Sequence, residues 1–437
     1  MKNARVPRNV VILGVVSLLT DAATEMSYPL LPLFVATLGS GAVLLGIIEG
    51  VAETTASMLK LASGIMSDRM GKRKALVVLG YTISSFTRPL IGLVTSAWQI
   101  ALIRSVDRIG KGIRTSPRDA LIASSVADNV RGRAYGFHRA MDHGGAVIGP
   151  FLGIGTLAAL ILGLGYSDLP VILRTTFLLS VIPGALAVLT LTLFVRENTD
   201  GLNAGNGASF SIRSLGGNFT RYLITAGLFT LGNSSDAFML FRIQEVMTGN
   251  ETLRTFLRSV PFLDAMINTF PDVATRAQFA AVIFLPMVWS FFHVVKVLFS
   301  TPLGALSDRI GRKRVIGIGW TIYASVYIGF ALLELLPEGW RIGGTFFLFT
   351  IYAVYYAFTE GAQKAFVADL VPASLRGSAF GLFNFATGIA ALPASIGFGF
   401  LYASFGAPAA FGTGAGIALL SLLLLVVMVR ENPSAHK

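Results

Sequence analysis

The chain has 437 residues, of which 54% are hydrophobic and 13% are charged, and its mean hydropathy is +0.69. Soluble domains average about 25% charged residues, so this composition excludes an ordinary soluble protein. A net charge of +12 would suggest nucleic-acid binding in a soluble protein, but here the basic residues concentrate in short loops between apolar stretches. The sequence contains no cysteine, which excludes disulfides and Cys-ligated metal sites.

Apolar stretches of about 20 residues, long enough to cross a bilayer as a helix, recur along the chain. They predict an all-α integral membrane protein with twelve spans, numbered 1 to 12 in chain order. The first run continues past Asp21 and Glu25 without a small-residue cleavage site, so we interpret it as span 1 and not as a signal peptide. The predicted spans are 9–37, 42–65, 74–95, 98–123, 134–164, 170–195, 219–243, 278–303, 314–335, 343–370, 378–404 and 408–430.

Lysine and arginine alternate between the loops on the two sides of the predicted membrane. Basic clusters occupy 69–74 and 309–314, whereas the intervening loops "GSGA", "TSAW" and "GYSD" contain neither residue. By the positive-inside rule, the basic side is cytoplasmic, and both termini are predicted to lie there. We expect a multi-pass protein of a bacterial inner (plasma) membrane.

The two halves of the chain repeat each other. "GIMSDRMGKRKAL" at 64–76 returns as "GALSDRIGRKRVI" at 304–316, and "RGRAYGF" at 131–137 returns as "RGSAFGL" at 376–382. Repeats of six spans with the same polarity predict two parallel bundles related by an axis along the membrane normal. The predicted parts are an N-terminal bundle at 1–198, a cytoplasmic linker at 199–217 and a C-terminal bundle at 218–437, with an extracytoplasmic excursion at 244–277.

These motifs resemble the major facilitator superfamily over nearly the whole chain. The resemblance lies first in a loop motif and its second copy, which comprise Gly64, Asp68, Arg69, Gly71 and Arg73, and Gly304, Asp308, Arg309, Gly311 and Arg312. "YPLLP" in span 1 and a span 5 pattern are similar to the drug/proton antiporter branch, although Ile154 replaces a usual glycine. The span 5 pattern consists of Gly145, Gly149, Pro150 and Gly153. The resemblance implies two six-helix bundles around a central cavity, with the loop motif as a gate that stabilises the outward-facing state.

Several charged side chains fall near the middle of predicted spans, where a charge costs about 2.5–3.5 kcal/mol. We predict that they face a shared wet crevice and bind protons or substrate. The members of this deep set are Asp21, Glu25, Glu49, Glu53, Arg104, Asp107, Arg108, Asp236 and His293. The repeat places Glu53 opposite His293, and the altered spacing of Arg104 and Arg108 leaves open which of them takes the superfamily's proton-transfer role.

A second set of residues is predicted to line the cavity. It contains Lys111, Arg114 and Arg118 of span 4, Asp142 of span 5, and Tyr355, Tyr356 and Glu360 of span 10. Depth alone suggests Asp142 as a partner for Arg114 or Arg118. A purely structural ion-pair network between spans 4 and 5 is an equal alternative for these residues, and an aromatic stripe is more often packing than recognition.

The resemblance implies a secondary active transporter, and the span 5 pattern favours proton-coupled export (antiport) of a small solute. One alternative is uptake of an anionic metabolite held by the span 4 cations and His293, and a class-level alternative is a non-transporting receptor or scaffold. No hydrolase, zinc-protease or P-loop motif is present, so we predict no enzymatic activity. We expect a monomer with a small-molecule substrate and membrane lipids as partners, no nucleic-acid partner, no metal and no cofactor, driven by a proton gradient.

Overall fold

The computed structural model describes residues 6–31, 34, 38, 42–197, 212–234, 236, 238–239, 242, 259–270 and 273–431. Within these ranges, the side chains of 42–54, 97, 273–275, 277–286, 288, 338 and 342 are not described. Most of the predicted linker and the first part of the excursion lie outside the described residues. The side chains of Glu49 and Glu53 lie outside them as well.

Helices account for nearly all of the described residues, as predicted. Their bounds follow the predicted spans: Arg8–Glu25 and Tyr28–Leu30 (span 1), Ala42–Met70 (2), Lys74–Thr87 and Arg88–Leu93 (3), Ala97–Ser124 (4), Arg131–Ala158 and Ala159–Gly163 (5), Leu169–Leu179 and Val181–Phe194 (6), Gly217–Gly232 (7), Val273–Ile310 (8), Arg312–Ala331 (9), Glu338–Asp369 (10), and Arg376–Met428 (11 and 12). Spans 11 and 12 separate at Gly406, whose backbone leaves the helical conformation (φ 80°, ψ 175°).

Eight stretches of the described residues are long and apolar enough to cross a membrane. Span 4 is not one of them, because Ala97–Ser124 combines basic and acidic side chains along its whole length. It nevertheless forms a single helix of 28 residues, with Pro117 inside it. Neighbouring spans must therefore satisfy its charges, since lipid cannot.

The spans pack as two sets that meet along matching surfaces. In the first half, span 1 contacts spans 5 and 6, and span 4 contacts spans 2 and 3; in the second half, span 10 contacts spans 8 and 9. Between the halves, span 2 packs against the Arg376–Met428 helix, and span 8 packs against span 5. The repeat relates span 2 to span 8 and span 5 to span 11, so these two contacts correspond to each other, as expected of bundles related by a twofold axis.

The described part of the excursion is helical over Pro261–Asn268. Leu263 and Met266 share a buried apolar cluster with Leu30, Phe34 and other residues of the first half. The excursion thus packs on the first bundle at the end opposite the two loop motifs. This agrees with its prediction as a partly helical segment.

Candidate functional site

The two loop motifs join the bundles at one end of the molecule, which we call the motif face (the loops between spans 2 and 3 and between spans 8 and 9). The Asp68 carboxylate accepts hydrogen bonds from the backbone N–H groups of Gly377 and Ser378 at 3.0 and 2.6 Å. Asp308 accepts from Gly132 and the following residue at 2.9 and 2.8 Å. Each aspartate therefore caps the first turn of a span in the other half, where a helix favours negative charge.

Gly64 and Gly304 permit the close approach that this capping requires. A Cβ atom at Gly64 would lie 2.2 Å from the carbonyl oxygen of Gly377, and one at Gly304 would lie 2.3 Å from that of Gly132. Any side chain at either position would force the two halves apart. The motif face is therefore closed in this structure.

Arg73 and Arg312 have matching roles although the two loops differ in length. Each forms an ion pair with the motif aspartate of its own loop. Each also donates its backbone N–H to the glutamate of a repeated "VREN" segment, Glu197 at 3.0 Å or Glu431 at 2.5 Å. The first loop thus contains one additional residue, the exposed Lys72, before its arginine.

The remaining motif residues either form the turns of the loops or lie exposed on their surface. Gly71 and Gly311 have positive φ angles of 60° and 102°, which favour glycine at the turn after each helix. Arg69 and Arg309 are exposed. Of the four motif arginines that the resemblance assigns to the gate, the two buried ones, Arg73 and Arg312, make the contacts to other elements.

A second layer of contacts lies behind the motif aspartates. Arg131 of span 5 and Arg312 both bind Asp369 at the end of span 10, at 2.5 and 3.2 Å. Deeper still, the Lys364 ammonium of span 10 lies 2.5 Å from the Asp119 carboxylate of span 4. Four of these residues lie outside the predicted site, and together they extend the closure of the motif face towards the centre.

The central cations of span 4 are largely satisfied inside the first bundle. Asp107 is buried, accepts a hydrogen bond from Arg88 of span 3 at 2.8 Å and lies 3.6 Å from Arg104. Arg114 donates to the Ser84 hydroxyl of span 3 at 2.5 Å. These contacts leave the predicted basic stripe mostly internal to one bundle.

Asp142 connects span 5 to span 1. Its carboxylate binds Arg139 at 2.7 Å and accepts a hydrogen bond from the Ser17 hydroxyl. It also interacts electrostatically with the Asp21 carboxyl group of span 1. Spans 1 and 5 therefore each contribute one acid to a pair near the middle of the membrane.

The partner of Asp142 differs from the predicted one. We expected Arg114 or Arg118, but Asp142 binds Arg139, and Arg118 binds its own neighbour Asp119 at 3.1 Å. Arg139 lies three residues from Asp142 on the same helix, so the two side chains share a face. Depth along the spans correctly placed Asp142 at the level of the span 4 arginines. The rotation of span 4 about its axis, which depth does not give, determines the pairing.

The span 5 glycines explain how these acids come together. Cβ atoms at Gly145, Gly149 and Gly153 would lie 2.2, 2.8 and 2.6 Å from backbone oxygen atoms of span 1. Pro150 lies inside the same helix. The antiporter-like pattern therefore acts here as a packing surface that holds span 1 against span 5.

Glu360 of span 10 joins the two bundles at the centre of the molecule. Its carboxylate contacts the His143 Nε2 atom of span 5 at 2.8 Å and the Lys296 ammonium of span 8 at 3.4 Å, with Arg139 at 3.9 Å. The Nδ1 atoms of His143 and His293 are 3.1 Å apart. Within the described residues, no group of three or more His, Asp or Glu side chains is arranged to hold a metal ion.

Asp236, which we predicted within span 7, lies in a turn beyond the Gly217–Gly232 helix and is held by two tyrosines of span 10. Tyr352 and Tyr356 donate hydrogen bonds to its carboxylate at 2.6 and 2.8 Å. The Lys296 ammonium lies 3.8 Å from the centre of the Tyr356 ring, in a cation–π contact. The aromatic residues therefore connect Asp236 to Lys296, and through it to Glu360.

The other predicted site residues are distributed unevenly around this centre. Asp21, Glu25, Arg108 and Lys111 are half-buried, and Glu25 interacts electrostatically with both Lys111 and Arg108. Tyr355 is buried within the aromatic core of the second half. The structure thus brings the acids of span 1 near the cations of span 4, whereas Tyr355 has a packing role.

Sequence reasoning missed two cations that organise this region, Arg88 and Lys296. Each is a single charge within an apolar stretch of a predicted span, which is itself an indication of function in a membrane protein. The pairing of Asp119 with Lys364 had no comparable local indication, because the two residues are far apart in the sequence.

Comparison with known proteins places the chain in a family. The family model described as Major Facilitator Superfamily matches residues 13–291 and 260–437. An uncharacterized MFS-type transporter of Methanocaldococcus jannaschii is 33% identical over 419 residues, covering 96% of this chain and 94% of that protein. The multidrug resistance protein MdtH of Yersinia enterocolitica is 30% identical over 127 residues, covering 29% of this chain and 31% of that protein.

A solved structure has the same fold. The proton:xylose symporter XylE superposes with a TM-score of 0.69 at 16% sequence identity, covering 97% of this chain and 96% of that one. The family model and the M. jannaschii relative both extend over the two halves of the chain. It is accordingly a multi-pass membrane transporter and not an enzyme, and it belongs to the major facilitator superfamily.

Proposed function

We propose that this transporter exports a small organic solute in exchange for protons. The observation that carries the proposal is the position of the Glu360 carboxylate, which contacts His143 from one bundle and Lys296 from the other. A proton bound by Glu360 would remove the charge that holds both contacts. Protonation would then be coupled directly to the packing of the two bundles, which alternating access must break and restore.

A pair of acidic side chains near Glu360 provides a second site for protons. The Asp21 and Asp142 carboxyl groups interact electrostatically, and a proton held by one of them would relieve their mutual repulsion. Arg139 contacts Asp142 at 2.7 Å and Glu360 at 3.9 Å, so it links the two acidic sites. A change of charge at one acid would therefore alter the partner available to the other.

Two observations support the direction of export. A relative over 127 residues bears the name of a multidrug resistance protein. The span 5 glycine pattern, which packs against span 1, is similar to the antiporter motif of exporters in this superfamily. Uptake of an anionic metabolite remains the second candidate, but Arg88, Arg104 and Asp107 form a cluster that neutralises part of the span 4 charge.

Proteoliposomes with an imposed pH gradient test the proposal. Addition of a transported solute should dissipate the gradient, and Glu360→Gln should slow this exchange by about 100-fold or more, the range of a lost proton-transfer group. Asp21→Asn should impair it as well. The exposed Glu334, which binds Arg242, offers the matched control Glu334→Gln, which should exchange at the parent rate. Full gradient-driven exchange in Glu360→Gln would reject the assignment, and stimulation by anions alone would favour the second candidate.

We further propose that the motif face is cytoplasmic, in a bacterial inner membrane, and that a monomer without a bound cofactor uses the proton gradient. The basic loops at 69–74 and 309–314 support this orientation. Because the chain has no cysteine, single cysteines placed at Lys72 or Arg314 can report the side directly. Labelling of intact cells by an impermeant maleimide at either position would contradict the orientation.

A further inference from the structure

Asp119 and Lys364 occupy equivalent positions in the two halves. Asp119 begins "DALIAS" in span 4 and Lys364 begins "KAFVAD" in span 10, each twelve residues before the arginine of the repeated "RGRAYGF" or "RGSAFGL" segment. An exact duplication would place the same charge at both positions and the two side chains would repel. The two halves carry opposite charges here instead.

The equivalent positions also contact each other. Lys364 Nζ lies 2.5 Å from Asp119 Oδ2, and the two side chains are 11% and 0% exposed. Two points related by a twofold axis can meet only on that axis. The pair therefore lies where the bundles meet, between the central Glu360 and the capped helix ends of the motif face.

The pair is asymmetric in its remaining contacts. Asp119 also accepts hydrogen bonds from Arg118 Nε and Nη2 at 3.2 and 3.1 Å, and Arg118 is on the same helix. The Tyr135 hydroxyl of span 5 donates to the Asp119 carbonyl oxygen at 2.6 Å. These partners belong to the first bundle and would remain if the bundles separated. Among the described residues, Asp119 is the one hydrogen-bond acceptor of the Lys364 ammonium.

We propose that Asp119 and Lys364 form an axial latch that holds the motif face closed. Opening of that face breaks the pair, leaves Asp119 neutralised by Arg118, and turns the Lys364 ammonium towards water. The latch is a further gating element, placed deeper than the loop motifs. It requires only the alternating access of a major facilitator and not proton coupling or export, so its failure would leave the proposed function intact.

The absence of native cysteine makes the latch testable with a single reporter. Ser116 is buried one turn from Asp119 and contacts Asn384 of span 11 across the bundle interface, so Ser116→Cys should react with maleimide only when the motif face opens. Adding the double change Asp119→Asn and Lys364→Met removes both charges and avoids a lone buried ion. We expect labelling to accelerate about tenfold, within the usual range of coupling between states.

The control removes an ion pair that does not cross the interface. Arg242→Gln with Glu334→Gln eliminates a 2.8 Å pair within the second half and should leave the labelling rate unchanged. An unchanged rate in the folded Asp119/Lys364 double variant, or an equal rise in the control, would overturn the latch.

The single variants test the asymmetry. Lys364→Met leaves Asp119 paired with Arg118, whereas Asp119→Asn leaves both Arg118 and Lys364 without their counter-charge. Thermal unfolding in detergent should therefore show a lower melting temperature for Asp119→Asn than for Lys364→Met, while both label faster than the parent. The reverse order of melting temperatures would contradict the role assigned to Arg118.

Discussion

The two bundles hold their inner acidic side chains in different ways. In the first, Asp107 is enclosed by the guanidinium groups of Arg88 and Arg104. In the second, Asp236 is held by the neutral hydroxyl groups of Tyr352 and Tyr356. The repeat that aligns Asp119 with Lys364 also aligns Asp107 with Tyr352. Equivalent positions of the two bundles therefore carry an acid in the first and a tyrosine in the second.

This difference distinguishes acids that have a structural role from acids that can change their partner. An acid enclosed by arginines is committed to its bundle, since separating the pair leaves a buried ion uncompensated. An acid held by neutral tyrosine hydroxyl groups keeps its negative charge and can attract a cation or a proton. Glu360, which contacts His143 of the first bundle, and its partner Lys296 lie on the side of the tyrosines. We therefore expect Glu360 and Asp236 to change partners more readily than Asp107.

The largest expected effect is the loss of stability when the ion pair of Asp107 in the first bundle is broken. Asp107→Asn should lower the free energy of unfolding by about 3–5 kcal/mol, because Arg88 and Arg104 would lose their buried counter-charge. Asp236→Asn should cost less, since an amide oxygen can still accept from both tyrosines. Chemical unfolding in detergent measures both values. Equal losses would remove the distinction between the two interiors.

The next effect concerns the ion pair of Lys296 with Glu360, the carboxylate that contacts His143 of the other half. Lys296→Met removes the cation between the Tyr356 ring and Glu360. We expect proton-coupled exchange to fall by about 10- to 100-fold in proteoliposomes while the protein remains folded. In the described part of the chain, the Lys313 ammonium donates to the backbone carbonyl oxygens of Val426 and Val429, and Lys313→Met serves as the control. Normal exchange in Lys296→Met would show that the connection is structural only.

A smaller effect is expected from the tyrosine hydroxyls. Tyr352→Phe and Tyr356→Phe each remove one hydrogen bond to Asp236, worth about 1.5 kcal/mol for a charged acceptor. The losses should be less than additive, because the remaining tyrosine still holds the carboxylate. Unfolding of the two single variants and the double variant tests this. Tyr355→Phe, which leaves the Asp236 contacts intact, should have a smaller effect.

The smallest effect tests whether the motif face is symmetric where the interiors are not. Asp68→Asn and Asp308→Asn each weaken one inter-bundle helix cap, at a cost of about 1 kcal/mol. Both changes should raise the labelling of Ser116→Cys by similar, modest factors. A large effect from only one of them would show that the asymmetry of the interiors extends to the gate.

The spans, the repeat, the loop motifs and the family could all be predicted from the amino-acid sequence. These properties are local: a hydrophobic run predicts a span whatever surrounds it, and Gly64 with Asp68 is recognisable within a few residues. The predicted range 98–123 for span 4 agrees with the helix Ala97–Ser124 for this reason. The depth of charges such as Asp107 and His293 was also available from counting along the spans.

The pairing of the charged side chains could not be predicted in this way, because it depends on how the helices pack. Asp119 and Lys364 are 245 residues apart, and Arg88 reaches Asp107 from another helix. Depth places a side chain on a layer of the membrane, but pairing depends on the rotation of each helix and on how closely two backbones approach. Glycines such as Gly64 and Gly145 set that approach through contacts with distant spans. Hydropathy contains no information on either quantity.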